Sequence, residues 1–279
     1  MRIALAAPAM PATDPITWNP GARRGAQHLP TDTTIEVRGF RRSLSSGGAY
    51  EFQGGIAQAL QGVEVLVERG GPIDPGEVLA RIGRQLAQMP SAALEHLRQI
   101  IVYRTQDVSY DRFWERRYGI PGFQAVAAGG GGQVTFFGGS PYTDGVLFHE
   151  VGHNLPVSSS AWRDAQRADD RTIAELASRG TLRPVEFEHV PDEARRLRWT
   201  PRLAPGGITP YAHGRMGEDI SEALRMLMSE RHRGHAFAQL VDAQGGVREL
   251  RFSEAYPERT RILELASGAD LDGDGDIGR

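Results

Sequence analysis

The chain contains no cysteine and no lysine. Without cysteine there are no disulfides, no thiolate nucleophile and no Cys-ligated zinc, so a transition-metal site must draw on histidine and carboxylates. Without lysine, all 32 basic residues are arginine, which removes Schiff-base chemistry and a lysine general base. No apolar run approaches the ~20 residues that span a bilayer. Charge of one sign is also scarce. The 32 basic and 35 acidic residues leave a net charge of −3, a balance that favours neither a nucleic-acid partner nor a strongly anionic membrane.

What is present is ordinary for a globular protein: 279 residues, 40% hydrophobic and 24% charged. That length suits one large domain or two small ones. Residues 1–33 are rich in Pro, Ala, Thr and Asp without a period and read as an extended arm or leader. The first twelve faintly resemble a signal peptide, but the apolar core is short and Pro8 and Pro11 interrupt it, so export is left open.

Strand patterns run from Thr34 to Phe40, Val63 to Val67 and Gln99 to Arg104. Helical spacing covers Pro75 to Met89, Ser91 to Arg98, Ala161 to Arg179, Gly217 to Glu230 and Pro257 to Ala266. Thr181 to Gly207 reads as irregular, and Phe237 to Phe252 as a hairpin turning at Gly245-Gly246. The alternation favours one mixed α/β domain over residues 34–266, closed by an acidic tail at 267–279.

Chemistry enters at Leu147-Phe148-His149-Glu150-Val151-Gly152-His153-Asn154-Leu155, an H-E-x-x-H inside an apolar run. On a helix, residues four apart share a face, so His149 and His153 can offer two imidazoles to one metal ion. Glu150 then leans toward the open metal position where water binds. The spacing predicts a helix over 143–155, capped by Thr143 or Ser140 and stopped by Pro156, with Leu147, Val151 and Leu155 in the core. Just upstream, Ala125 to Gly139 reads as a Gly-rich hairpin. An edge strand there commonly pairs with extended substrate in zinc proteases, which makes Gln133, Val134, Thr135 and Phe136 substrate-binding candidates. A plain hairpin with a flexible turn is the alternative.

The third ligand is sought downstream. Pro156 and Ser159 stand where a metzincin needs Gly and His, so that class is excluded. A thermolysin-like arrangement would use Glu175, 22 residues past His153, in a stretch that reads as an ordinary amphipathic helix. The stretch Tyr211-Ala212-His213-Gly214-Arg215-Met216-Gly217-Glu218-Asp219-Ile220-Ser221-Glu222-Ala223-Leu224-Arg225 offers more. It resembles the catalytic domain of anthrax lethal factor and the related Pro-Pro endopeptidases. There, a Tyr seven residues before a Glu precedes a helix of the form E-x-x-x-E-A-[FL]-R. Tyr256-Pro257-Glu258-Arg259, followed by a helix, resembles the closing element of the same family.

The resemblance covers about residues 120–265. It implies a zincin-like α/β (α+β) fold with a small mixed sheet, Glu218 as the third zinc ligand, and a peptide or protein substrate, with Pro-containing targets among those raised. The 65 residues from His153 to Glu218 exceed the family's spacing, leaving residues 160–207 as a cap over the cleft or a specificity insertion.

The residue types fit that chemistry. Two histidines and a carboxylate leave a fourth zinc position open, the catalytic rather than the closed structural pattern. Glu150 serves as general base, Tyr211 as donor to the developing oxyanion, and Glu222 as partner to the far nitrogen of a ligand histidine.

The tail Asp270-Leu271-Asp272-Gly273-Asp274-Gly275-Asp276-Ile277 matches the first eight positions of an EF-hand calcium loop but ends before the bidentate acid of position 12. Asp270, Asp272, Asp274 and Asp276 are the calcium candidates, against a solvated acidic tail. A weak site suits extracellular calcium, the one feature that tilts the reading toward secretion. The sequence thus points to a zinc-dependent endopeptidase. A catalytically inactive zincin scaffold that binds metal or a partner, and a metallohydrolase of small amides, are the alternatives.

Overall fold

The computed structural model describes residues 33–43, 49–138, 144–185, 200–234 and 236–278. Almost all of the expected N-terminal arm lies outside them, as do Ser140 and Thr143. Six strands form a mixed sheet in the order β1-β2-β3-β4-β6-β5. These are β1 (Ile35–Ser43), β2 (Ala49–Leu60), β3 (Val63–Glu68), β4 (Gln99–Val102), β5 (Ala127–Gly130) and β6 (Gln133–Phe136). The β3–β4 and β4–β6 pairs are parallel, and the others are antiparallel. Central strands covered on both faces need apolar residues in both registers. Accordingly Ile100 and Val102 point to one core and Ile101 to the other.

Among the described residues eight helices accompany the strands: α1 (Pro75–Leu86), α2 (Ser91–Leu94), α3 (Val108–Tyr118), α4 (Asp144–Gly152), α5 (Ser159–Arg179), α6 (Met216–Arg233), α7 (Phe252–Ala255) and α8 (Pro257–Ser267). A second, antiparallel sheet joins β7 (Thr181–Pro184), β8 (Ala238–Val241) and β9 (Val247–Leu250) in that order. The main core gathers Val78, Ile82 and Leu86 of α1, Leu147 and Val151 of α4, and Ala223, Leu224 and Leu227 of α6. The opposite face of the large sheet is aromatic, with Tyr50, Phe52, Tyr103, Tyr110 and Phe137 buried together.

Several elements depart from the sequence pattern. The first helix ends at Leu86 rather than Met89, and the next runs only from Ser91 to Leu94. The strand β2, centred on Gly54-Gly55, and the helix α3 carry no clear apolar period. Asp107 nonetheless caps α3 by accepting from Ser109 N and Tyr110 N, and Gly119 closes it. Part of the segment read as irregular forms β7. The segment read as a cap or insertion supplies α5, whose Trp162, Ile173 and Leu176 belong to the main core. No helix among the described residues is long and apolar enough to cross a membrane.

Candidate metal centre

Helix α4 carries His149 and Glu150 on a segment anchored by buried Leu147, Phe148 and Val151. The helix stops at Gly152, earlier than the predicted 155, and His153 sits in the turn that follows. That turn is tight: Asn154 N donates to Val151 O at 2.8 Å and Leu155 N to Gly152 O at 3.2 Å. The histidine spacing survives, with ring centroids 5.0 Å apart.

Helix α6 packs on α4 and brings in Glu218 and Glu222. The approach is close because of Gly152, where an added Cβ would stand 2.6 Å from Ser221 Cα. Glu218 Oε2 lies 3.1 Å from His149 Nε2 and 3.5 Å from His153 Nε2. One donor atom from each of the three residues lies within 4.8 Å of the others. Ligand atoms about 2.0–2.1 Å from one tetrahedral zinc stand roughly 3.3 Å apart. The His149–Glu218 and His153–Glu218 separations bracket that value, so the residues fit such an ion.

The surroundings fit as well. His149 Nδ1 donates to Glu222 Oε1 at 2.7 Å, which leaves Nε2 to face Glu218. Arg225 holds Glu222 in turn, donating from Nε at 3.1 Å and from Nη2 at 2.8 Å. Burial opposes the charge on Glu222, but the Arg225 guanidinium and the hydrogen bond from His149 keep its pKa below the usual carboxylate range. Burial likewise opposes charge on His149, yet its bonds to Glu218 and Glu222 push it up to about 10. Glu218 is held well below its ordinary value against the pull of burial, chiefly by His149 and His153. Three buried carboxylates, Glu150, Glu218 and Glu222, thus stand together, and the buried Arg225 guanidinium pairs with Glu222. The site is short of positive charge; a proton on His149 supplies some, and a divalent cation at the triad supplies more.

Glu150 differs from its neighbours. Burial raises its pKa, partly countered by His149 and His153. Its Oε2 is buried without a hydrogen-bond partner among the described residues. That oxygen lies beside β5, since a Cβ added at Gly129 would stand 2.9 Å from Glu150 Oε2 and 2.3 Å from Glu150 O. Only glycine lets the strand run this close.

A cleft of about 170 Å³ opens over these groups. Its floor is Ala127, Ala128 and Gly129 of β5; its wall is Tyr110, Trp114 and Tyr118 of α3, with Phe123. Tyr211, mostly buried, comes to 6.1 Å from His149 between ring centroids. Sequence reasoning missed the aromatic wall. The signal for it was the i, i+4, i+8 spacing of Tyr110, Trp114 and Tyr118 between the Asp107 cap and Gly119. It also missed Asn154, whose Oδ1 accepts from Gly132 N at 2.7 Å and Gln133 N at 3.2 Å. Asn154 Nδ2 donates to Glu150 O at 3.0 Å, tying the hairpin turn to the end of α4.

One assignment is corrected. Gln133, Val134, Thr135 and Phe136 form β6, which pairs with β4 on one side and β5 on the other. Val134, Thr135 and Phe136 are buried, so no substrate strand can be added there. Apolar alternation drives β6 into the sheet's interior and leaves the small residues Ala127–Gly130 at the edge. Glu175 is exposed and pairs with Arg179, away from the cluster. His213 is exposed and accepts from Arg202 at 2.8 Å; His232 is exposed and stacks on Phe148; His235 lies outside the described residues.

In the tail, Asp270 and Asp272 each bring one oxygen within 4.8 Å of the other and of Glu264. Asp274 and Asp276 stand outside that group. Glu264 accepts from Leu271 N at 3.0 Å and Gly278 N at 2.8 Å, folding the tail back on α8. Comparison with protein families, with curated proteins and with solved structures gives no match for this chain.

Proposed function

We propose that this chain is a zinc-dependent endopeptidase of the lethal factor-like, zincin type. The observation that carries the proposal is the convergence of His149, His153 and Glu218 within 4.8 Å, beside a buried Glu150 oxygen with no partner among the described residues. His149 Nε2, His153 Nε2 and Glu218 Oε2 would hold the ion. When bound, zinc supplies Lewis acidity, acidifying water and polarising a carbonyl.

The remaining work falls to the chain's own side chains. Glu150 accepts a proton from the attacking water and returns it to the leaving amine; the raised pKa of a buried carboxyl suits both halves of that task. Tyr211 keeps its proton, because burial and the nearby carboxylates push its pKa upward, and so it can donate to the oxyanion. Glu222 and Arg225 hold the His149 ring in one tautomer. Among the described residues β5 ends its sheet, so an extended peptide can add along Ala127–Gly130 and run past Glu150. A peptide laid along an edge strand continues in both directions, which favours internal cleavage over attack on small amides.

The test is Glu150→Gln. This variant should bind zinc as the wild type does and lose roughly 10²–10⁴-fold in cleavage of internal bonds in a peptide library. Hydrolysis at the wild-type rate would refute the mechanism, and a wild type that binds zinc but cuts no peptide would favour the inactive scaffold.

A further inference from the structure

Tyr118 is absent from every motif in the sequence, yet its hydroxyl donates to Glu218 Oε1 at 2.8 Å. The two oxygens of Glu218 therefore have different partners: Oε1 faces Tyr118, and Oε2 faces His149 and His153. A carboxylate bonded at one oxygen cannot swing freely about its last torsion, and the charge-assisted bond favours its ionised form. The phenol proton is committed to Glu218, so the lone pairs of Tyr118 are free to accept. The side chain of Tyr211 is hydrogen-bonded to them.

The ring of Tyr118 is itself tightly held. Trp114 stacks on it at 4.9 Å, and Phe123 and Tyr211 meet it edge-on at 5.3 and 6.1 Å. The Arg215 guanidinium lies 4.3 Å from its centroid, and Arg215 also donates to Tyr211 O at 3.0 Å.

We propose that Tyr118 is a positioning residue that presents a single oxygen of Glu218 to the metal and holds the Tyr211 hydroxyl in place until substrate arrives. The inference rests on the proposed zinc site. Tyr118 touches neither the ion nor the scissile bond; it acts through Glu218 and Tyr211. The hydrogen-bonded chain runs one way, Tyr211 to Tyr118 to Glu218. Tyr211 can leave it for an oxyanion without stripping Glu218 of its donor.

The experiment is zinc competition against a chromophoric chelator, with the full chain as wild type, Tyr118→Phe, Glu218→Ala and the double variant. Phenylalanine keeps the caged ring and removes only the hydroxyl. Tyr118→Phe should bind zinc about 10–100-fold more weakly while the zinc-free protein keeps its thermal midpoint. In the Glu218→Ala background the same change should have no further effect, because the partner it acts through is gone. Wild-type zinc affinity in Tyr118→Phe overturns the proposal. So does an equal loss in both backgrounds, which would mark a general structural effect and would also expose a variant that folds poorly. A wild type that takes up no zinc, or an undiminished affinity in Glu218→Ala, instead rejects the zinc site itself.

Discussion

His149 is gripped at both ring nitrogens, and the two grips do different jobs. Glu222 at Nδ1 sets the tautomer, and Glu218 at Nε2 stands where the proposed cation would be shared. Tyr211 stands apart from that set, near the ring but bonded to Tyr118. On the proposed mechanism its role is confined to the transition state, so Tyr211→Phe should separate binding from chemistry. Removing one oxyanion donor typically costs ~10²–10³ in kcat. We expect a loss of that size in kcat, with KM and zinc affinity within a few-fold of wild type. Steady-state kinetics and chelator competition check it, and a zinc affinity that falls with kcat would make Tyr211 part of the metal shell instead.

At the scale of elements, the site depends on how closely α4, α6 and β5 approach one another. Gly152 sets the first approach and Gly129 the second. Gly152→Ala would drive a methyl group against Ser221 backbone, and overpacking of this kind costs ~1–3 kcal/mol. Urea unfolding should show a lowered midpoint together with weaker zinc binding, since Glu218 and Glu222 ride on the displaced helix. Unchanged stability in this variant would mean that α6 does not pack against α4 at Gly152.

The helices α5 and α8 were legible because each buries one stripe, and that stripe prints a 3.6-residue period on the sequence; α4 and α6 are buried on nearly every face and were legible instead from the H-E-x-x-H run and from the spacing of Ile220, Ala223, Leu224 and Leu227. Helix α3 was not, because its inward face is aromatic and interrupted by Arg and Glu, so only its caps and the i, i+4, i+8 spacing of Tyr110, Trp114 and Tyr118 announced it. The order of β5 and β6 was also hidden. Which strand of a hairpin becomes the edge depends on pairing with β4, a contact of long sequence separation that local pattern does not encode. His149 and His153 were legible through a short motif and Glu218 through the family resemblance of residues 211–225, whereas Tyr118, 100 residues from its partner Glu218, could be found only in three dimensions.

For the whole molecule, the sheet separates a larger core of mixed aliphatic and aromatic residues, which carries α4 and α6, from a smaller and mainly aromatic one beneath α3. The cleft lies where α3 and α4 both border β5, so both layers contribute to it. A mixed α/β architecture was readable from alternating elements; the integration of α5 into the main core was not, because Trp162 finds its partner Asp219 57 residues away. If the triad binds zinc, the ion also stabilises the fold by mass action, by about 4.1 kcal/mol at a thousandfold excess over Kd. Chelation should then lower the thermal midpoint of the wild type and leave that of Glu218→Ala unmoved.

The most direct test is therefore a zinc titration of the full chain, wild type against Glu218→Ala, read alongside cleavage of an internal peptide bond. One zinc per wild-type chain, with affinity strongly weakened and cleavage lost in Glu218→Ala, is the predicted result. Equal zinc affinity in the two proteins would contradict it and remove Glu218 from the site.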